Sequence, residues 1–339
     1  MKTYYRAIPQ TDLARPEGAL TLAGGWTWFS HVEVMTREAS PRVVPLGDVP
    51  AEVLDKMTGP RSAFGPLSMD EPQVMGILNV TPDSFSDGGR HNSASQAVLH
   101  AEKMVADGAN LIDIGGESTR PGAVEVAVAD EIDRTAPVIE AISGKIGVPI
   151  SIDTRKAPVA EAALEAGAAL VNDVAGFTFD AGLAPLCAER KVPVCVMHAQ
   201  GDPATMQADP RYDDVLLDVY DFLEERVEWL VAQGVARDQI MVDPGIGFGK
   251  TIAHNLALLA RISIFHSLGC PVLLGASRKA FIKVIGKAED PMKRVSGSVA
   301  VALEGISQGV QVMRVHDVEE TRQALQLWQA VTFGEYIGT

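Results

Sequence analysis

From residue 73 to near the C-terminus one pattern recurs eight times: a short apolar run, a turn, then a segment with amphipathic helical spacing. The apolar runs are VMGILNV (74–80), LIDIGG (111–116), PISIDT (149–154), LVNDVAG (170–176), PVCVMHA (193–199), IMVDPGIG (240–247), PVLLGAS (271–277) and VMRVH (312–316). Helical spacing falls at 93–107, 126–143, 157–166, 213–233, 252–268, 295–308 and 317–331. Several of these helices end on a glycine and a small residue just before the next run, as in DGANLI and SLGCPVL, which is a helix C-cap signature. Runs that are apolar on both faces need cover on both, so they belong to a parallel sheet with helices outside it. Eight such units in about 260 residues predict an α/β fold, a closed (β/α)8 TIM barrel over 73–333, rather than an open doubly wound sheet.

A barrel of this kind keeps its chemistry at the C-terminal ends of the strands and in the loops that follow. Those ends read Asn79, Glu117-Ser118-Thr119-Arg120, Asp153, Asn172-Asp173, Met197-His198, Asp243, Ser277-Arg278-Lys279 and Arg314 with His316. Any one of them could simply cap the next helix. Polar groups after nearly every strand, in otherwise apolar surroundings, point to a site.

The stretch VDPGIGFGKT (242–251) tests that idea, because Gly249-Lys250-Thr251 is how a nucleotide-binding P-loop ends. A P-loop needs a glycine five positions before Gly249, and that position is Pro244, with a fixed φ and no N–H. The dinucleotide-binding glycine pattern also fails, because its third glycine would fall on Lys250. What remains is an acid at the end of the sixth strand, followed by glycines that let backbone approach a ligand closely. Asp243 can accept paired N–H bonds from the amino-pyrimidinone edge of a flat heterocycle, and Asn172 and Asp153 offer the same kind of edge recognition. Lys250 reads as a solvated or structural lysine, not a phosphate clamp.

Charge narrows the ligand further. The chain of 339 residues has 44 acidic and 29 basic side chains, a net charge of −15 and a pI near 4.9. That balance argues against nucleic acid or an anionic membrane as partner, so an anionic substrate would need a local positive field. Cys187, Cys195 and Cys270 lie in or beside apolar runs without metal-ligand spacing, as reduced buried thiols of a cytoplasmic protein would. Residues 1–30 hold no apolar core of export-signal length, and no 18-residue apolar stretch suggests a membrane span.

The motifs MGILNVTPDSFSDGG (75–89), DIGGESTRPGA (113–123), ISIDT (150–154), VNDV (171–174), DPGIGFGK (243–250), GASRK (275–279) and RVHDV (314–318) together resemble the dihydropteroate synthase family. The resemblance covers roughly residues 73–331 with every motif in order. It implies a (β/α)8 barrel that joins 6-hydroxymethyl-7,8-dihydropterin pyrophosphate to para-aminobenzoate, uses Mg2+, releases pyrophosphate, is inhibited by sulfonamides and works as a homodimer. By motif, it implies that Asn79 binds the metal and that Thr119, Arg314 and His316 touch the pyrophosphate or pterin, with Arg314 also stacking on the ring. Asp153, Asn172, Asp243 and Lys279 would read the pterin edge, Ser277 would face the aminobenzoate carboxylate, and Met197, Phe248 and Gly275 would line the substrate pocket. Loops carrying Asp83, Phe85 and Arg120 would close over the site, these three acting with Lys279 in catalysis. Lys279, Arg314 and His316, with Arg120, would supply the local positive field. The substitution would be dissociative, with Mg2+ and cationic side chains holding the departing pyrophosphate while nearby carboxylates favour a methylene cation.

Two rival functions share parts of this pattern. A corrinoid-type pterin methyltransferase would keep the acids but lack the group Thr119, Lys279, Arg314 and His316. A catalytically silent pterin-binding homologue would have lost part of the NVTPDSFSDGG or ESTRPG loops, and both are intact. Ile246 stands where the family commonly has Phe, leaving Asp243 and the glycines in place. Residues 1–72 form a longer lead-in than the family usually has. With LAGGWTWFSHVEVMTR (22–37) they read as an antiparallel appendage packed on the barrel, an oligomer contact or a loose arm, the aromatic run serving as local core. A chain begun near Pro72 would on this reading keep the chemistry.

Overall fold

The computed structural model describes residues 2–81, 90–118, 123–201 and 205–335, with the side chains of 90–94 left aside. Asp83, Phe85, Thr119 and Arg120 lie outside the described residues. Eight parallel strands form one sheet: β6 (Gln73–Asn79), β7 (Leu111–Gly115), β8 (Ile150–Asp153), β9 (Leu170–Asp173), β10 (Val194–Met197), β11 (Ile240–Asp243), β12 (Leu273–Leu274) and β13 (Val312–Val315). β6 lies between β7 and β13, so the first and last strands pair in parallel. A bridge from Val242 to Val272 joins β11 to the run that enters β12, which brings the sheet round to a barrel. Nearly every residue of these strands is buried on both faces, as their unbroken apolar runs require.

The outer layer holds α2 (Arg90–Ala106), α3 (Val128–Ser143), α4 (Ala157–Ala166), α5 (Leu183–Arg190), α6 (Val215–Ala232), α7 (Ile252–Ala260), α8 (Ala280–Ile285), α9 (Val295–Ser307) and α10 (Val318–Phe333). Sequence spacing predicts one helix over 252–268. In the structure α7 stops at Ala260, and a 3-10 segment, Ile262–Leu268, continues with every side chain buried. An outer helix of a barrel ordinarily keeps one face in water, so something must cover this one.

The cover is the N-terminal region. Strands β1 (Tyr4–Ala7), β4 (His31–Met35) and β5 (Arg42–Pro45) form an antiparallel sheet, β2 (Leu20–Thr21) and β3 (Trp28–Phe29) a short hairpin, and α1 (Ala51–Thr58) a single helix. They enclose a small core of their own containing Leu22, Phe29, Val32, Val44 and Met57. β1 and α1 pack on the 3-10 segment. Tyr4 sets its ring edge-on to Tyr220 of α6 at 5.5 Å, and Lys2 and Arg37 pair with Asp218, Asp221 and Glu224 of the same helix. Of the aromatic run, Phe29 lies in this local core, while Trp26 packs on the main barrel core and donates to the Ile306 carbonyl of α9 at 2.8 Å. Residues 64–69 do something different. Phe64, Leu67 and Met69 cluster with Met75, Leu111, Leu170, Cys195, Met241, Leu273 and Val312, the lowest inward side chains of the strands, and so stopper the barrel at its N-terminal end.

Candidate active site

Side chains alternate faces along a strand, so the inward set above the stopper follows from the register. Leu111, Asp113 and Gly115 share the inward face of β7. Across the pairing, Asp113 stands opposite Ser151, Asp153 opposite Asn172, and Met197 opposite Asp243. From β13, which pairs Arg314 with Met75, the arginine enters the same space. The barrel thus has an apolar floor and, above it, a polar layer open toward the C-terminal ends of the strands.

Arg314 organises that layer. Its Nε donates to Asp113 Oδ2 at 2.6 Å and its Nη2 to Asp153 Oδ2 at 2.7 Å, while Asn172 Nδ2 donates to Asp113 Oδ2 at 3.3 Å. Burial drives the Asp153 carboxyl well above the ordinary range. Arg314 opposes the shift, and the charges of Asp113 and Asp173 add to it. The neighbouring carboxylates hold Arg314 protonated although burial works against it. Asp113 Oδ1 and Ser151 Oγ are buried without a partner among the described residues.

Asp243 stands alone on the other side of the mouth. Its Oδ1 accepts the Gly245 N–H at 2.7 Å, which leaves Oδ2 facing the barrel, 3.6 Å from where a Cβ on Gly275 would sit. Burial raises its pKa to about 6, against the lowering effect of the Gly245 hydrogen bond and of the Lys279 and Arg314 charges. The glycines after it have φ of +67° (Gly245) and +60° (Gly249), and a Cβ there would fall 1.9 Å from the His198 carbonyl and 2.5 Å from the Gln200 carbonyl. The loop lies flat on the β10 connection, and only glycine permits that. Phe248, at its tip, places its ring 4.0 Å from the Lys279 ammonium. Ser277 accepts the His316 backbone N–H at 3.2 Å and meets His316 Nδ1 at 3.0 Å, and Met197 is buried at the end of β10.

The local positive field differs from the sequence expectation. Burial, with the Arg278 and Arg314 charges adding to it, lowers His316 to about 3, so this ring is neutral at physiological pH. Arg314 is already matched by two carboxylates. Lys279, the third described cation named for the field, sets its ammonium over the Phe248 ring.

Other polar strand ends are structural. Asp173 turns outward and its two oxygens accept the N–H groups of Ala175 at 2.7 Å and Phe177 at 2.6 Å. Glu117 accepts from Arg155 at 3.2 Å and from the Val126 N–H at 2.8 Å, while Lys156 reaches Glu131 at 2.7 Å. Arg278 pairs with Asp317. Lys250 is structural too, and not solvated: it is 3% exposed. Sequence reading missed Asp113, although an acid inside the apolar run LIDIGG, at the same parity as the strand's inward residues, carries the signal.

The family model for pterin binding enzymes matches residues 75–316. The chain is 47% identical to the dihydropteroate synthase of Escherichia coli K12 over 264 residues, 78% of this chain and 93% of that one. The chain belongs to the dihydropteroate synthase family. Solved members of the family resemble it closely. The Yersinia pestis enzyme in a sulfonamide drug complex is 48% identical with a TM-score of 0.75, over 80% of this chain and 98% of that one. The Xanthomonas albilineans enzyme with 4-aminobenzoic acid is 46% identical with a TM-score of 0.74, over 78% of this chain and 94% of that one.

Proposed function

We propose that this site condenses 6-hydroxymethyl-7,8-dihydropterin pyrophosphate with para-aminobenzoate to 7,8-dihydropteroate and pyrophosphate in folate biosynthesis. The observation that carries the reading is the inward polar layer: Asp153 and Asn172 on one side and Asp243 on the other, around a half-buried Arg314, at the C-terminal mouth of the barrel. Asp243 Oδ2, Asn172 and Asp153 suit the amino-pyrimidinone edge and ring N–H groups of a pterin, with the Arg314 guanidinium available to its π-face. Lys279 reaches from the pterin edge toward the pyrophosphate. Ser277 faces the aminobenzoate carboxylate, and Thr119 and His316 meet the pyrophosphate.

In the reaction the methylene–oxygen bond breaks, the pyrophosphate leaves with the electron pair, the aromatic amine forms the new carbon–nitrogen bond, and the amine proton departs to solvent or pyrophosphate. Buried carboxylates beside the methylene lower the energy of a cation there, and positioning of the amine supplies much of the remainder. Asp83, Phe85 and Arg120 are assigned to the closing loops by family motif.

Asn79 offers the kind of hard oxygen that Mg2+ takes. Its Oδ1 lies at the end of β6, and the neighbouring Asp153 Oδ2 is already engaged by Arg314. Mg2+ commonly takes one or two protein oxygens and completes its shell with phosphate and water. Asn79 would hold it, and when bound it would neutralise the leaving pyrophosphate. We assign a homodimeric, cytoplasmic enzyme on family grounds, and no helix of the described residues is long and apolar enough to cross a membrane. Purified protein given both substrates and Mg2+ should release pyrophosphate and dihydropteroate in equal amounts. Hydrolysis of the pterin pyrophosphate without coupling would refute the reading.

A further inference from the structure

Lys250 closes the glycine loop after β11, and its ammonium is enclosed by acceptors. Nζ donates to the carbonyls of Gly245 at 2.9 Å and Phe248 at 3.0 Å, and lies 2.8 Å from His198 Nδ1 and 3.3 Å from the His198 carbonyl. Among the described residues, none of these four contacts is to a carboxylate. Burial depresses Lys250 to about 7, and burial together with the Lys250 charge holds His198 well below its ordinary range. The imidazole is therefore neutral, with Nδ1 accepting from the ammonium and its proton on Nε2. His198 is fixed in turn by the edge of Phe222, ring centres 4.9 Å apart.

Burying an ammonium among neutral acceptors is costly even with the Asp243 charge favouring it, and an apolar side chain of the same length would fill the space without that cost. What the apolar chain could not do is hold a loop whose left-handed glycines turn its carbonyls inward. Two further carbonyls are tied from outside: Gln207 donates to Gly247 at 2.6 Å and Tyr212 to Gly249 at 2.8 Å. Two atoms held by Lys250 lead directly to the site. Gly245, whose carbonyl it anchors, gives its N–H to Asp243 Oδ1, and Phe248, whose carbonyl it also anchors, carries the ring beneath Lys279.

We propose that Lys250, seated on His198, is a positioning residue of the catalytic site: it fixes the backbone of 245–248 so that Asp243 is correctly oriented and Phe248 supports Lys279. This rests on the functional reading above, for which wild-type turnover, measured first, is a separate test. The experiment is a double-mutant cycle of Lys250→Met, which keeps the length and removes every donor, with Phe248→Leu. It is read in kcat/KM and, without turnover, in the calorimetric Kd of the pterin pyrophosphate. Lys250→Met is expected to lose roughly 10- to 100-fold in kcat/KM and to weaken pterin binding, with the circular dichroism of the folded enzyme retained. In the Phe248→Leu background the same change should cost less than about a third of that factor, because one route of its action is already gone. If Lys250→Met does not fold, Lys250→Arg, which keeps charge and donors but cannot seat its head where one nitrogen fits, replaces it with the same readouts. A Lys250 variant within threefold of wild type, or an equal loss in both backgrounds, would overturn the proposal.

Discussion

Replacing Asp243 with Asn changes one atom and has a forced outcome. The Gly245 N–H already donates to Oδ1 at 2.7 Å, so the oxygen of the new amide must stay on that side. The NH2 group is then directed into the barrel, where Oδ2 now faces Gly275. A pterin edge would meet a donor where its own N–H groups need an acceptor. Leaving such groups buried and mismatched costs about 1–3 kcal/mol, or roughly 5- to 150-fold in Kd. The pH dependence sharpens the test. Burial raises the Asp243 pKa to about 6, and donors on the ligand favour its ionised form. Binding should then be at full strength above that pH and fall by roughly tenfold per unit below it, since the proton must first leave. Calorimetric titration of the pterin pyrophosphate from pH 7.5 to 5 should show the Asn variant weaker by that margin at pH 7.5 and lacking this part of the slope. Equal affinity at pH 7.5, or an unchanged slope in the variant, would mean that Asp243 does not read the pterin.

Asp113→Asn should cut turnover by at least tenfold while leaving the melting temperature within a few degrees, because Arg314 loses the carboxylate on its Nε but keeps Asp153; a turnover unchanged within twofold would make Asp113 a spectator. Asn79→Ala should raise the Mg2+ concentration needed for half-maximal rate and leave pterin affinity nearly intact, and an unaltered Mg2+ titration would remove Asn79 from the metal. Deleting residues 2–71 removes the stopper side chains Phe64, Leu67 and Met69. At about 1.5–3 kcal/mol each, their burial rivals the whole stability of many domains, so the shortened chain should not yield a folded barrel by circular dichroism. Phe85→Ala or Arg120→Ala should abolish aminobenzoate binding while the pterin still binds, and equal loss of both ligands would break the proposed order of assembly.

Residues 64–69 mark where sequence reasoning stops. The eight apolar runs and the acids at their ends were legible because strand burial and the C-terminal location of barrel sites leave periodic traces. Asp243, Asn172 and Asp153 share the barrel mouth for that reason. The role of Phe64, Leu67 and Met69 left no such trace: three apolar residues in a Gly- and Pro-containing lead-in have no period, and what they fill is set by seven strands distant in sequence. A start near Pro72 therefore looks harmless in the sequence, whereas the packing of these three side chains predicts that it is not. Lys250 was ambiguous for a related reason, since a lysine beside glycines looks solvated until the loop's inward carbonyls are known. His316 shows the same limit for charge, because its neutrality comes from burial beside Arg278 and Arg314, brought near by folding.

The central claim is that the barrel mouth releases pyrophosphate before the amine attacks. Pterin pyrophosphate labelled with 18O in the bridge between the methylene and the first phosphorus tests this directly. Incubated with enzyme and Mg2+ but without para-aminobenzoate, then recovered, the substrate should show label moved into the non-bridging positions, because the freed pyrophosphate rotates before the bond re-forms. Label that stays in the bridge, in enzyme that makes dihydropteroate once the amine is added, would contradict a dissociative step.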